Sequence, residues 1–213
     1  MITNYNIFEN VEDQLSFIFS SMLAGICISI GCIVNLMTGG GIPGAVLFTF
    51  GLIAVVHYKY ALYTGTAGFV SSFKDVLTLI VFILLGNCLG CLLAATLATY
   101  AIPDLTCKAN IIVESRAQVD IWQACIRGVF CGFLMTTAVK FARENRWLPL
   151  LFAVPVFILA GFYHSIADAF YLYASEYTDM KNEITIQAYQ NWGMTILGNF
   201  IGCNLYKLKF IDK

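Results

Sequence analysis

Six apolar stretches separated by shorter polar intervals run the length of the chain, at roughly residues 17–36, 43–72, 76–101, 119–141, 148–173 and 185–207. Each is long enough to approach or exceed the ~20 helical residues that cross a hydrocarbon core. From Val76 to Ile102, about 27 residues, there is no Asp, Glu, Lys or Arg. The first, third, fourth and sixth stretches read as continuous helices. The second is interrupted by HYKYALYTGTAG (57–68) and the fifth by GFYHSIAD (161–168). Backbone leaves a helix at membrane depth only where protein or a water-filled path satisfies its polar groups. The pattern predicts an all-α integral membrane protein in which the second and fifth helices are broken.

Composition agrees. The chain is 59% hydrophobic and 12% charged, with a mean hydropathy of +0.77. Soluble domains carry about 25% charged residues. A net charge of −1 gives no sign of a nucleic-acid partner. The opening MITNYNIFENVEDQ lacks the basic region of a secretory signal. The placement of basic residues predicts orientation. With both termini cytoplasmic, Lys74, Lys140, Arg143, Arg146, Lys207, Lys209 and Lys213 lie inside, against Lys108, Arg116 and Lys181 outside. A multi-pass protein of the inner cell membrane is expected, residues 1–15 forming a cytoplasmic amino-terminal segment. The eight cysteines, Cys88 and Cys91 among them, sit mostly in apolar spans and are expected to stay reduced. They read as small packing residues rather than as metal ligands, and no metal or cofactor is expected.

The two halves resemble each other. GNCLG (86–90) in the third stretch matches GNFIG (198–202) in the sixth, and each follows a broken segment. Three crossings per half is an odd number, so the second half enters the membrane inverted. The first repeat is expected over 16–101 and the second over 118–208, within a single membrane channel domain spanning 1–213. Such inverted repeats place the transport path at their interface, near the broken helices.

The breaks bring Leu62, Tyr63 and Thr64 opposite Phe162, Tyr163 and His164. An apolar waist cannot strip a bare anion of water cheaply, because desolvating a charge costs several kcal/mol. An imidazole at that point can donate a hydrogen bond or, because it titrates near neutrality, a proton. The alternative for His164 is a structural role, capping a half-helix through a backbone hydrogen bond. Asp168 lies one turn on, and either faces the His164 ring or bonds neighbouring backbone. Arg116 is a candidate for drawing anions to the outer mouth, or is paired with Glu114 or Asp120. Lys59, with His57, is expected to make a locally basic vestibule or else to snorkel to the headgroups, and His57 alone reads as structural. Asn87 and Asn199, from the repeated motif, are expected one layer behind the path.

Taken together, LAGICISIG, FGLIAVVHYKYALYTG, LLGNCLG, PVFILAGFYHSIAD and ILGNFIG resemble the formate/nitrite transporter family, from about Ser20 to Leu208. The resemblance implies an aquaporin-like protomer of six helices, assembled as a homopentamer, that conducts small monovalent anions or their neutral acids (formate, nitrite or hydrosulfide). It implies that His164 and Thr64 form the pore centre. Leu52 and Leu62 match the cytoplasmic-side constriction, with Tyr63 beside it, and Phe48 and Phe157 match the periplasmic-side one. Arg116 falls where many members have a lysine. Four departures stand out, one of them Lys59, which sits where small residues are more usual. Gly132 replaces an asparagine of the fourth helix and is expected to widen the outer constriction. Asp168 replaces an asparagine, and Tyr163 an acid.

Other classes fit less well. A neutral-solute or water pore of aquaporin-like shape remains the alternative, although no N-P-A motif occurs. A membrane enzyme would need partners for His164, and the chain has neither H-E-x-x-H nor G-x-S-x-G. A purely structural subunit leaves both broken helices without a reason.

Overall fold

The computed structural model describes residues 11–70 and 72–208. Among them are ten α-helices and no strand: α1 (Val11–Met37), α2 (Gly41–His57), α3 (Tyr63–Thr66), α4 (Phe73–Thr78), α5 (Leu85–Ala101), α6 (Asp104–Ala117), α7 (Ile121–Arg143), α8 (Leu148–Leu159), α9 (Ser165–Ala174) and α10 (Glu183–Asn204). A π-helical stretch, Leu79–Leu84, joins α4 to α5 without a gap. The expected amino-terminal cytoplasmic segment lies largely outside the described residues.

Local chemistry sets the helix ends. Ser72 and Asp75 form a reciprocal capping box at the start of α4. Asp120 caps α7 through Trp122 N–H, while Lys140 and Arg143 occupy its last turn, where the helix dipole favours cations. Asn182 caps α10 through Ile184 N–H. α8 stops at the fifth-segment break, where Gly161 takes φ +70°, a conformation that side chains resist.

α1 lies along α5, and α7 along α10, at distances that only glycine permits. A Cβ on Gly90 would stand 2.0 Å from the Met22 carbonyl oxygen, and one on Gly202 2.0 Å from that of Val129. Such close backbone approach is how helices associate where apolar burial alone gives no drive. α7 and α10 run parallel: near the start of α10, Asn191 donates to the carbonyls of Arg116 and Val119, and near its end Tyr206 stacks on Phe133. α2 packs on α8 and α9 on α5.

The outward surface is apolar. Phe50, Leu97, Tyr100, Trp122 and Phe152 are all exposed, which a water-facing monomer avoids. By length and composition, Asp13–Met37, Asp75–Ala101 and Ile121–Arg143 can each cross a membrane, while α2 and α8 are apolar but shorter. One element differs from expectation. The interval after residue 102, read as an outer loop, contains the 14-residue helix α6.

Candidate functional site: a waist between two broken helices

Both breaks are clamped in the same way by the repeated asparagines. The side-chain amide of Asn87 donates to the carbonyls of Ser21 and Ala61, and its oxygen accepts from Tyr63 N–H, each at 2.8 Å. Asn199 donates to the carbonyls of Gly128 and Tyr163 at 2.8 and 2.9 Å, and accepts from Ser165 N–H at 2.8 Å. Each asparagine therefore satisfies one carbonyl and one amide that the break removes from helical pairing, and pins them to the helix alongside. Buried backbone groups left unpaired would cost about 1–3 kcal/mol each.

A cysteine follows each motif, extending it to G-N-x-x-G-C. The Cys91 thiol points at the carbonyl of Ile166 in α9 (3.4 Å), and that of Cys203 at the carbonyl of Thr64 in α3 (3.4 Å). Each half thus contacts the broken helix of the other. All eight cysteines are free thiols.

The half-helices α3 and α9 meet near their first residues. Thr64 Oγ1 and His164 Nε2 are 2.9 Å apart, and both residues are buried. His164 also caps α9, its Nδ1 accepting from Ala167 N–H at 3.3 Å. A ring nitrogen that accepts carries no proton, so in neutral His164 the proton lies on Nε2 and is donated to Thr64. The Thr64 hydroxyl hydrogen is then left to point elsewhere. Both ring nitrogens of His164 are thus engaged, one as the cap of α9 and the other at Thr64.

Aromatic rings continue from the imidazole. Phe157 stacks near His164 at 5.6 Å between centroids, and Phe48 meets Phe157 edge-on at 5.8 Å. On the other side of the waist, Leu62 is the apolar floor of a cavity of about 410 Å³, which is also lined by His57, Lys59, Val139, Arg143 and Trp147. Leu52 is buried on α2, one turn before the cavity wall at Val55 and Val56. Tyr63 is also buried, with its hydroxyl donating to the Ile196 carbonyl of α10 at 3.1 Å.

The chain carries the sequence signature of a known family: the family model described as formate/nitrite transporter matches residues 9–207. The chain belongs to the formate/nitrite transporter family. With its apolar helices, this makes it an integral membrane protein. Two solved structures share its fold at a TM-score of 0.80 each. One, described as an FNT family ion channel, is 19% identical and covers 90% of this chain and 87% of its own. The other, a pentameric formate channel with formate bound, is 18% identical and covers 92% and 95%. No curated protein sequence matches the chain.

In this member of the formate/nitrite transporter family, the charged residues around Arg116, expected at an outer mouth, are paired differently from the sequence expectation. Arg116, in the last turn of α6, donates to Asp168 Oδ1 at 2.9 Å and lies over the Tyr163 ring at 3.8 Å. Neither Glu114 nor Asp120 is its partner: Glu114 takes the Tyr177 hydroxyl, and Asp120 caps α7. Asp168 Oδ1 is thus taken by Arg116, while its buried Oδ2 has no hydrogen-bond partner among the described residues. Arg127, which sequence reasoning passed over, donates to the Tyr163 hydroxyl at 3.0 Å. Tyr163, standing where the resemblance expects an acid, is held between two guanidinium groups. Among the described residues no cluster of His, Cys, Asp or Glu could hold a metal ion.

The reading of Gly132 needs correction. A Cβ there would stand 2.3 Å from the Asn199 carbonyl oxygen, so the position faces α10 at the helix crossing. Its smallness permits that crossing and does not widen the path. Gly25 stands against the Asn87 carbonyl in the same way, at 2.2 Å.

Proposed function

We propose that the chain is a channel for small monovalent weak-acid anions such as formate, nitrite or hydrosulfide, and that the ion passes the waist beside Thr64 and His164. The observation that carries this reading is the 2.9 Å Thr64–His164 contact at the meeting point of two broken helices, between the Phe48–Phe157 rings and Leu62. Six crossings are counted as α1, α2 with α3, α4 with α5, α7, α8 with α9, and α10. The matched clamps of Asn87 and Asn199 support an inverted pair of repeats, 16–101 and 118–208, in one channel domain. Similarity to a structure described as pentameric supports assembly as a homopentamer, and the basic residues support cytoplasmic termini.

The mechanism follows from the donors on the page. An anion that reaches Leu62 or the phenylalanine rings loses water, and the Thr64 hydroxyl offers one hydrogen bond in its place. His164 Nε2–H, donating into the same hydroxyl, strengthens it, since hydrogen bonds in a chain polarise one another. The amino-terminal dipole of α9 also favours negative charge there. Proton donation by His164 requires the imidazolium, which Nδ1 reaches only by releasing Ala167 N–H. Lys59 lies towards the inner mouth, and Arg116, paired with Asp168, has little charge left to offer the outer one.

The test is uptake into proteoliposomes of formate, nitrite, hydrosulfide, acetate and chloride, with internal pH followed. A weak-acid anion should enter faster than chloride. Passage of water or a neutral solute with no anion flux would instead establish the aquaporin-like alternative.

A further inference from the structure

We propose that the cavity beside Leu62 is an anion-loading site, built by His57, Lys59 and Arg143, that makes the channel saturate at lower anion concentration from this end than from the other. This rests on the pore reading above. The ligand class is the permeant one, a small monovalent carboxylate or comparable anion, held while still partly hydrated.

Three observations carry it. The cavity, about 410 Å³, is many times the size of a formate ion and ends at the buried Leu62, two residues from Thr64, so whatever occupies it waits at the constriction. Its lining brings two cationic side chains, Lys59 and Arg143, together with His57 over an apolar floor. Of these, Arg143 is anchored: one guanidinium nitrogen donates to the Gly65 carbonyl at 3.1 Å, while the group lies over the Phe69 ring at 4.1 Å. Charge is thus fixed at the foot of α3.

The backbone supplies the third observation. Lys59 takes φ +58°, the left-handed region, where glycine or asparagine sits at less cost. A lysine held in a conformation that disfavours it, with its cation at a pore mouth, points to selection for the charge over the fold.

The opposite end is different in sign. There Arg116 is engaged by Asp168. Glu114, Asp120, Glu176 and Glu183 border this end, with Arg127, at the Tyr163 hydroxyl, Lys108 of α6 and Lys181 of the α9–α10 connection as its further cations. A field of this kind concentrates anions at the basic mouth and not at the acidic one.

The consequence is specific because a passive pore obeys microscopic reversibility. At low concentration and zero voltage its permeability is equal in both directions. A binding site near one mouth therefore cannot favour net flow, but it lowers the half-saturating concentration, and with it the maximal flux, from that mouth.

The experiment measures formate flux into anion-free compartments over a range of concentrations from each face. The sidedness of reconstitution is read from a carboxy-terminal tag cleaved by external protease. Wild type should half-saturate at lower formate from the Lys59 face. Lys59→Gly removes the cation while relieving the backbone, so it folds at least as well; it should raise that half-saturation about threefold, the scale of one exposed ionic contact. Lys59→Arg should hold it within error of wild type. Equal half-saturation from both faces, or Lys59→Gly indistinguishable from wild type with flux intact, overturns the proposal and leaves the pore reading standing. Absence of formate flux in wild type removes both.

Discussion

Nε2 of His164 and Oγ1 of Thr64 stand 2.9 Å apart although the residues are 100 positions apart in the chain, and Nδ1 of the same ring caps α9. The imidazole therefore does two jobs that separate substitutions can divide. Asparagine is a strong cap but is too short to replace the far side of the ring. His164→Asn is expected to keep the protein folded, with a melting temperature in detergent within a few degrees of wild type, while formate flux falls at least tenfold. A variant that melts far lower would show that the ring's contacts beyond the cap, to Thr64 and Phe157, hold the fold.

The asparagine clamps give a second expectation. Asn199→Ala strips partners from the Tyr163 carbonyl and Ser165 N–H at a buried break and releases both from the Gly128 carbonyl of α7, to which the clamp ties them. At about 1–3 kcal/mol per unsatisfied group, a loss of about 3 kcal/mol or more should follow, visible as a lowered thermal transition in detergent. Asn87→Ala should cost a similar amount, because its bonds are the same in kind.

Gly132 separates packing from path width. Gly132→Asn, the residue the family resemblance expects, would force a side chain into the α10 backbone. Such overpacking against backbone costs 1–3 kcal/mol or more. The variant should be poorly folded by size-exclusion profile, rather than folded with a narrower path and altered anion preference.

Asp168 and Arg116 form a fourth test. The carboxylate is 4% exposed and the guanidinium 22%, so the pair is screened too little to be negligible. Removing one partner of a buried pair leaves the other's charge uncompensated. Arg116→Gln should therefore lower stability by about 1–3 kcal/mol, with little change in the concentration dependence of flux. Arg116→Lys should recover only part of that stability, because an ammonium keeps the charge but loses the planar stack on Tyr163.

Much of this was legible in the chain. The breaks showed because glycine, histidine and threonine interrupt apolar runs, and the helices α2 and α8 do end at those interruptions. The G-N-x-x-G repeat showed as a motif, but its work as a backbone clamp depends on which helix lies alongside. The third-helix expectation missed the π-helical turn, which leaves no mark in a uniformly apolar stretch. α6 was missed although Pro103, Asp104 in the first turn and Arg116 in the last are helix-end signals. Arg116 and Asp168 are 52 positions apart, and only the fold brings them together. Gly132 was misread because its meaning lies in the α7–α10 crossing, a distance between backbones that spacing alone does not specify.

The most direct measurement of the central claim is formate flux through Thr64→Val beside wild type. Valine keeps the shape at the waist and removes the hydroxyl that receives His164 Nε2–H and that the proposed path sets beside the anion. The account predicts a correctly folded protein whose formate flux is at least tenfold lower. Undiminished flux would mean that the ion does not pass beside Thr64 and His164.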